Sequence, residues 1–289
     1  MRGLRSRSVG RRAGSVAVHG VLAVTAGVTL VPFVWMACAA LKTNEDFFTS
    51  LFLPVDEGGG IAWGRLTLGH FVRLFTEHGF ALAMLNSVFL SSTTAVVGTL
   101  TAAMAGYALA LFRFPGQGLV TAAVVGVLVV PGTVLLAPSY QLLFHLSLLD
   151  TFAGLILPAA APAFGVYLFR QAARSSVPHE LLEAARIDGA GELRIFFEVA
   201  LPLLRPMVGA FLLITFLGTW NNFIGPQIVL QNPERFPLAV AVSQLRGVYY
   251  QDYGLQMAGT LVSVVPVLVL FLLLQKEFIA GLTSGAVKG

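Results

Sequence analysis

An all-α, polytopic membrane protein is the fold class that this sequence predicts, and three observations predict it. Only 11% of its 289 residues are charged while 56% are hydrophobic, whereas soluble domains carry about a quarter charged residues. The few charges gather in clusters, leaving long neutral intervals between them. Those intervals lack the in–out alternation of a membrane barrel strand, and helices satisfy their own backbone groups in lipid.

Neutral intervals cover residues 13–41, 79–112, 114–149, 151–169, 206–233 and 253–275. A membrane-crossing helix needs about 20 mainly apolar residues. Six spans are therefore expected, near 16–41, 82–111, 118–138, 152–171, 207–230 and 255–275. They leave a tail at 1–15, a charged loop at 177–206 and a second tail at 276–289.

The first interval follows Arg11 and Arg12 and contains the chain's one cysteine, Cys38. It is longer than the roughly 7–15-residue core of a secretory signal, so an uncleaved helix is expected. A single cysteine allows no internal disulfide, and no Cys/His cluster offers a metal site. The five histidines lack metal-ligand spacing, and His145 reads as an outer-surface partner of Asp150.

In the second interval, Ser91, Ser92, Thr93 and Thr94 read as small residues for close helix packing. Asn86 opens that span and is a candidate for the translocation path. Pro131-Gly132 predicts a kink in the third span, because proline removes a helix hydrogen bond. Trp220, Asn221 and Asn222 lie midway along the fifth interval. Polar groups at that depth face protein or a wet cavity, so path lining and interhelical hydrogen bonding both stay open. In the 231–254 loop, Gln231-Asn232-Pro233, Tyr249-Tyr250 and Asp252 either face an external partner or are solvated, with tyrosines at the interface.

Lys and Arg set the orientation. Thirteen of the 18 basic residues fall on the side holding both tails, Arg113 and the 170–205 segment. Both tails and the charged loop are expected in the cytoplasm. The net charge of +4 is not drawn into a stripe with interleaved aromatics, which argues against nucleic acid.

The charged loop reads VPHELLEAARIDGAGELRIFFEVALPLLRP over 177–206. Pro178 suits a first helical turn, and Glu180 and Glu183 sit near its positive end. Gly189 and Gly191 allow a sharp bend. Leu193, Phe196, Phe197 and Ala200 then give a second amphipathic stretch, with Glu192, Arg194 and Glu198 opposite. With no core of their own to enter, the apolar faces of Leu181, Leu182, Phe196 and Phe197 are expected to face outward as a knob for a partner's groove.

Glu183-Ala184-Ala185, three residues, Gly189, nine residues, then Val199-Ala200-Leu201-Pro202 resembles the EAA motif of ABC importer permeases, with Val199 where isoleucine is usual. Trp220-Asn221-Asn222-Phe223, the Asn86-Ser87 opening, Tyr107 to Gly116 and the tail from Ala280 to Gly289 resemble the MalG-like subunit of maltose-type systems. The resemblance implies a type I importer permease in the inner membrane of a bacterium or archaeon. It implies a second, MalF-like permease, two copies of an ATPase and an extracytoplasmic solute-binding protein. Glu183, Ala184, Ala185, Asp188, Gly189, Leu201 and Pro202 would form the ATPase-coupling segment, and Gly281, Gly285 and Lys288 the ATPase-contacting tail. The solute would be a sugar or sugar-like.

The chain has no G-x-x-x-x-G-K-[ST] loop, so no bound cofactor is expected and ATP would be hydrolysed by partner subunits. Its neutral intervals contain no Asp or Glu, which argues against an intramembrane enzyme. No internal repeat is visible, which argues against a standalone secondary transporter. A permease for a non-sugar solute is the first alternative, and a standalone secondary transporter the second.

Overall fold

The computed structural model describes residues 3–247 and 252–286, with side chains from residue 15 to 275 apart from residue 274. Tyr249, Tyr250 and Lys288 lie outside the described residues. Helices dominate: α1 (Gly3–Ala40), α2 (Asn44–Phe47), α3 (Gly69–Thr76), α4 (Phe80–Leu111), α5 (Gln117–Val127), α6 (Leu136–His145), α7 (Ala153–Ala159), α8 (Ala163–Ser176), α9 (His179–Ile187), α10 (Glu192–Ile195), α11 (Leu201–Leu203), α12 (Arg205–Trp220), α13 (Ile224–Val229), α14 (Leu238–Gln244) and α15 (Tyr253–Ala286). A π-helical turn over Phe196–Ala200 joins α10 to α11. Among the described residues β-pairing is limited to isolated bridges, Lys42 with Leu66 and Val55 with Ile61.

Among the described residues four segments are long and apolar enough to cross a membrane: Ser15–Ala40, Phe80–Leu111, Ala153–Ser176 and Tyr253–Leu273. Two bent pairs, Gln117–Val127 with Gly132–His145 and Glu192–Leu203 with Arg205–Trp220, raise the count to as many as six.

Two of the expected spans differ in kind from a continuous rod. At Pro131 the third does not merely kink: its halves meet at 98°, with Pro131 at φ −62°, ψ 126°. Proline pushes the preceding residue out of the α region as well, so the break extends back over 128–130. The fifth ends at Trp220 rather than near 230. Asn221 turns its side-chain amide back onto the Leu217 carbonyl at 2.9 Å, and the Asn222 side-chain oxygen Oδ1 accepts the Gly225 N–H at 3.2 Å. Asparagine competes for backbone groups in this way and so stops helices.

The chain divides into two compact units. One holds residues up to His78 together with Leu245–Val262, the other Gly79–Gln244 and the chain from Ser263. In the first unit α1 exposes residues 15–34 along its whole circumference, so an apolar environment must surround it. Its following loop is tied by Arg65 to buried Asp46. Lys42 there donates to the Ser50 carbonyl at 2.7 Å.

The second unit is built on α4. A Cβ on Gly98 would sit 3.3 Å from the Ala159 carbonyl, and one on Gly165 would strike the Phe211 ring and come within 2.8 Å of Ala102. Glycine at these points lets the helices approach, as small residues do in membrane packing. Ser91 and Thr94 are 1% and 3% exposed, so this part of the helix is packed, as its small residues predict.

Candidate functional site

The charged loop folds as two helices about a bend, and each part has a local cause. Pro178 caps α9 in extended conformation, Glu180 lies in the first turn and Arg186 in the last, as the helix dipole favours. Gly189 has φ +79°. The Gly189 N–H donates to the Arg186 carbonyl and the Ala190 N–H to the Ala185 carbonyl, both at 3.0 Å. This is a Schellman termination, whose left-handed position suits glycine above other residues.

Across the bend Arg186 holds Glu192 with both arms, Nε to Oε1 at 2.7 Å and a terminal nitrogen to Oε2 at 3.3 Å. The Glu192 carboxylate thereby raises the basicity of the Arg186 guanidinium. A forked pair fixes geometry as well as charge, so it sets the angle between α9 and α10. Arg194 and Glu198 form a second pair one turn apart at 2.8 Å. Spacing alone does not reveal the Arg186–Glu192 clamp, because it closes only once the Gly189 bend has formed.

The apolar residues of the loop divide between two directions, which corrects the expectation that they all face outward. Leu182, Ile195, Phe196, Ala200 and Leu204 are buried in one core cluster with Tyr107, Phe169, Ala173 and Phe211. The Phe196 ring lies 5.4 Å from that of Tyr107. The inner face of α4 and α8 supplies the core these residues enter. Left outside are Leu181, Leu193 and Phe197, together with Ile187 at 86% exposure.

Glu183, Ala184, Asp188, Gly189 and Pro202 are also exposed, while Ala185 and Leu201 are half-buried. Beside them runs a shallow groove of about 300 Å³ lined by Ala185, Asp188, Ala190, Arg194, Ile195, Glu198 and Val199. The result is a rigid, charged and apolar protrusion whose inner face is anchored in the second unit.

The residues considered for the path are spent on structure to differing degrees. Asn86 is buried, and its amide donates to the carbonyls of Glu234 at 2.8 Å and Phe236 at 3.2 Å. Ser87 Oγ accepts the Leu238 N–H at 2.6 Å. Trp220 is 4% exposed; its indole N–H donates to the Ser263 carbonyl at 3.2 Å, and its ring stacks on Phe216. Asn221 and Asn222 are exposed at the helix end. Gly281 and Gly285 continue α15.

At the other end of the second unit, Asp150 does not pair with His145 as expected. Its carboxylate accepts the N–H groups of Gln231 and Asn232 at 2.9 and 3.0 Å and meets Arg235 at 2.6 Å. Asp150 adopts φ +55°, which aims its side chain along the 229–235 backbone.

The class the fold defines is an all-α, multi-pass membrane protein with a charged loop bent at a glycine. The family of binding-protein-dependent transport system inner membrane components matches residues 98–276, and this chain belongs to it. As such it is a multi-pass inner-membrane permease subunit and not an enzyme.

Among its relatives is the arabinooligosaccharides transport system permease protein AraQ of Halalkalibacterium halodurans. The two are 40% identical over 225 residues, covering 78% of this chain and 80% of that one. The lactose transport system permease protein LacG of Rhizobium radiobacter is 30% identical over 278 residues, 96% of this chain and 98% of that one. Among solved structures, a bacterial ABC transporter that imports the acidic polysaccharide alginate aligns with TM-score 0.79 at 21% identity. It covers 93% of this chain and 98% of its own, so the two share a fold.

Proposed function

We propose that this chain is one of two permease subunits of an ATP-driven importer that carries a sugar or sugar-like solute into the cytoplasm, with both tails and the 177–206 loop on the cytoplasmic side. The relatives named for arabinooligosaccharides and lactose support the solute class. The excess of Lys and Arg on one side supports the orientation. A second, MalF-like permease, two ATPase subunits and a solute-binding protein outside complete the assembly.

The 180–195 segment couples ATP hydrolysis in the partner subunits to the spans. One observation carries this reading: the segment is anchored inward through Leu182, Ile195 and Phe196 while Ile187 and Leu193 stay exposed beside Glu183. A protrusion welded to the helix bundle transmits a push to it; a loosely tethered one would absorb the push. Closure of the ATPases then favours one of two states of the spans, and the solute site alternates between the two sides by population shift. The tail residues Gly281, Gly285 and Lys288 would contact the ATPases, and Asn86, Trp220, Asn221 and Asn222 would line or brace the path.

Affinity purification of the tagged chain from its native membrane tests the assembly, run beside a Glu183→Ala, Gly189→Asp variant. Recovery of a second permease and an ATPase with the wild type, and loss of the ATPase alone with the variant, is the expected result. A wild-type chain that emerges without either subunit overturns the reading.

A further inference from the structure

Between α1 and α3 the first unit carries the run FFTSLFLPV over 47–55, which contains no charged residue. It is too short to cross a bilayer, which takes about 20 residues. It is also strongly exposed: Phe48 at 74% and Leu51 at 72%, with Phe52 and Val55 open beside them. A contiguous apolar patch of this kind marks a surface that meets something other than water.

Ring contacts fix the level of this run. The chain turns back after Ala40, where the Leu41 and Lys42 N–H groups donate to the Cys38 and Ala39 carbonyls at 3.2 and 3.3 Å. Phe47 then sets its ring edge-on to that of Trp35, 5.8 Å away. Trp35 lies within the membrane-crossing segment Ser15–Ala40, about 7 Å of helix before its end. The Phe47 ring also stacks on Tyr253 at 4.8 Å, and Phe48 meets that tyrosine edge-on at 5.1 Å. Tyr253 opens the crossing segment Tyr253–Leu273. Two spans thus mark one level, and Trp and Tyr are the residues that gather where headgroups meet acyl chains.

The polar groups around the run are arranged for that level. The Lys42 ammonium is fully buried; it donates to the Ser50 carbonyl at 2.7 Å and lies over the Phe47 ring. A backbone carbonyl in the middle of the run is thereby satisfied without water, as a poorly hydrated layer requires. Asp46, just before the run, is 2% exposed and paired with Arg65. The exposed carboxylates Glu45, Asp56 and Glu57 stand outside its two ends. We propose that residues 47–55 dip into the bilayer as an interfacial anchor, seating Phe48, Leu51 and Phe52 among lipid headgroups and upper acyl chains at the Ala40 end of α1. Lipid is the occupant because the rings that carry the run are fastened to the spans themselves. The anchor depends on those spans alone, not on which solute the chain carries.

Spin-label accessibility tests the anchor on the full-length chain, purified with its co-purifying subunits and reconstituted in phospholipid bilayers. In a Cys38→Ser background, Leu51→Cys and Glu57→Cys each carry one nitroxide; both side chains are exposed, so neither label disturbs the packing. The label at 51 is expected to be relaxed more by oxygen, which concentrates among acyl chains, than by a water-soluble nickel chelate. At 57 the order is expected to reverse. A label at 51 as open to the chelate as the one at 57 overturns the anchor, because the run then stands in water. A label at 51 shielded from both reagents overturns it as well, because a protein partner then covers the run.

Discussion

The side chain of Phe169 occupies the space that Gly106 leaves open: a Cβ on Gly106 would lie 2.6 Å from Phe169 Cβ and equally close to the Arg170 nitrogen. The helices α4 and α8 touch through backbone here, and the aromatic and aliphatic residues of the core close around that contact. Gly106→Ala should therefore part them, at a cost of about 1–3 kcal/mol for overpacking. Thermal unfolding in detergent checks it against Gly126→Ala, where nothing lies within 4 Å. Equal melting temperatures for the two variants would count against the packing argument.

Anchoring and docking in the charged loop should separate by mutation. Leu182 is fully buried, and Leu182→Ala should cost about 2–5 kcal/mol and lower the melting temperature. Ile187 is 86% exposed; Ile187→Asp should leave melting unchanged yet reduce the ATPase recovered with the chain. If Ile187→Asp retains the ATPase in full, the exposed face is not where the partner sits.

The bend at Gly189 makes a graded prediction. A side chain at left-handed φ costs about 1–2 kcal/mol, less for asparagine. Co-purified ATPase should fall in the order wild type, Gly189→Asn, Gly189→Ala. An alanine variant equal to wild type would show that the bend angle does not matter for docking.

Asp150 carries the pH prediction outside the spans. The N–H groups of Asn232 and Gln231 outweigh the cost of burial and hold its carboxyl below the ordinary range, with a lesser contribution from Arg235. A lowered value means that its contribution is present above the unfolded value, about 3.9, and is lost as pH falls through the native one. Exchange protection over residues 229–236 should stay level from about pH 8 to about pH 5 and drop below about pH 4. Asp150→Asn, which tolerates the positive φ, should be weaker at neutral pH and insensitive to acid. A wild-type loop unaffected by acid would refute the clasp.

Much of this was legible in the sequence because hydropathy and charge act locally. Lys42, Arg113, Arg170 and Lys276 mark interval ends through composition alone. The Gly189 bend was legible too, since a Schellman turn is written in a few consecutive residues. Directions of side chains were not. Leu182 and Leu181 are alike in sequence, and only the approach of Phe169 and Tyr107 from distant helices decides which turns inward. Asp150 looked nearest to His145 along the chain, yet its partner Arg235 is 85 residues away. Asn221 and Asn222 read as mid-span because their neighbours are apolar; their competition for backbone groups ends the helix instead.

The π-helical turn at Phe196–Ala200 has a consequence for how this loop tolerates change in length. Such a turn takes in one residue more than the α-helical ladder needs, and each residue in a helix advances the chain by about 100° around the axis. Removing any one residue between 196 and 200 would let the ladder close in regular register and keep every backbone hydrogen bond. It would also swing Leu193, Glu192 and the whole of α9 about a quarter-turn away from their present bearing. A single-codon deletion there should turn Leu182 and Ile195 out of the core, lowering the melting temperature as well as presenting the protrusion to the wrong side. The spacing between Gly189 and Val199 is thus an angular dimension as much as a linear one.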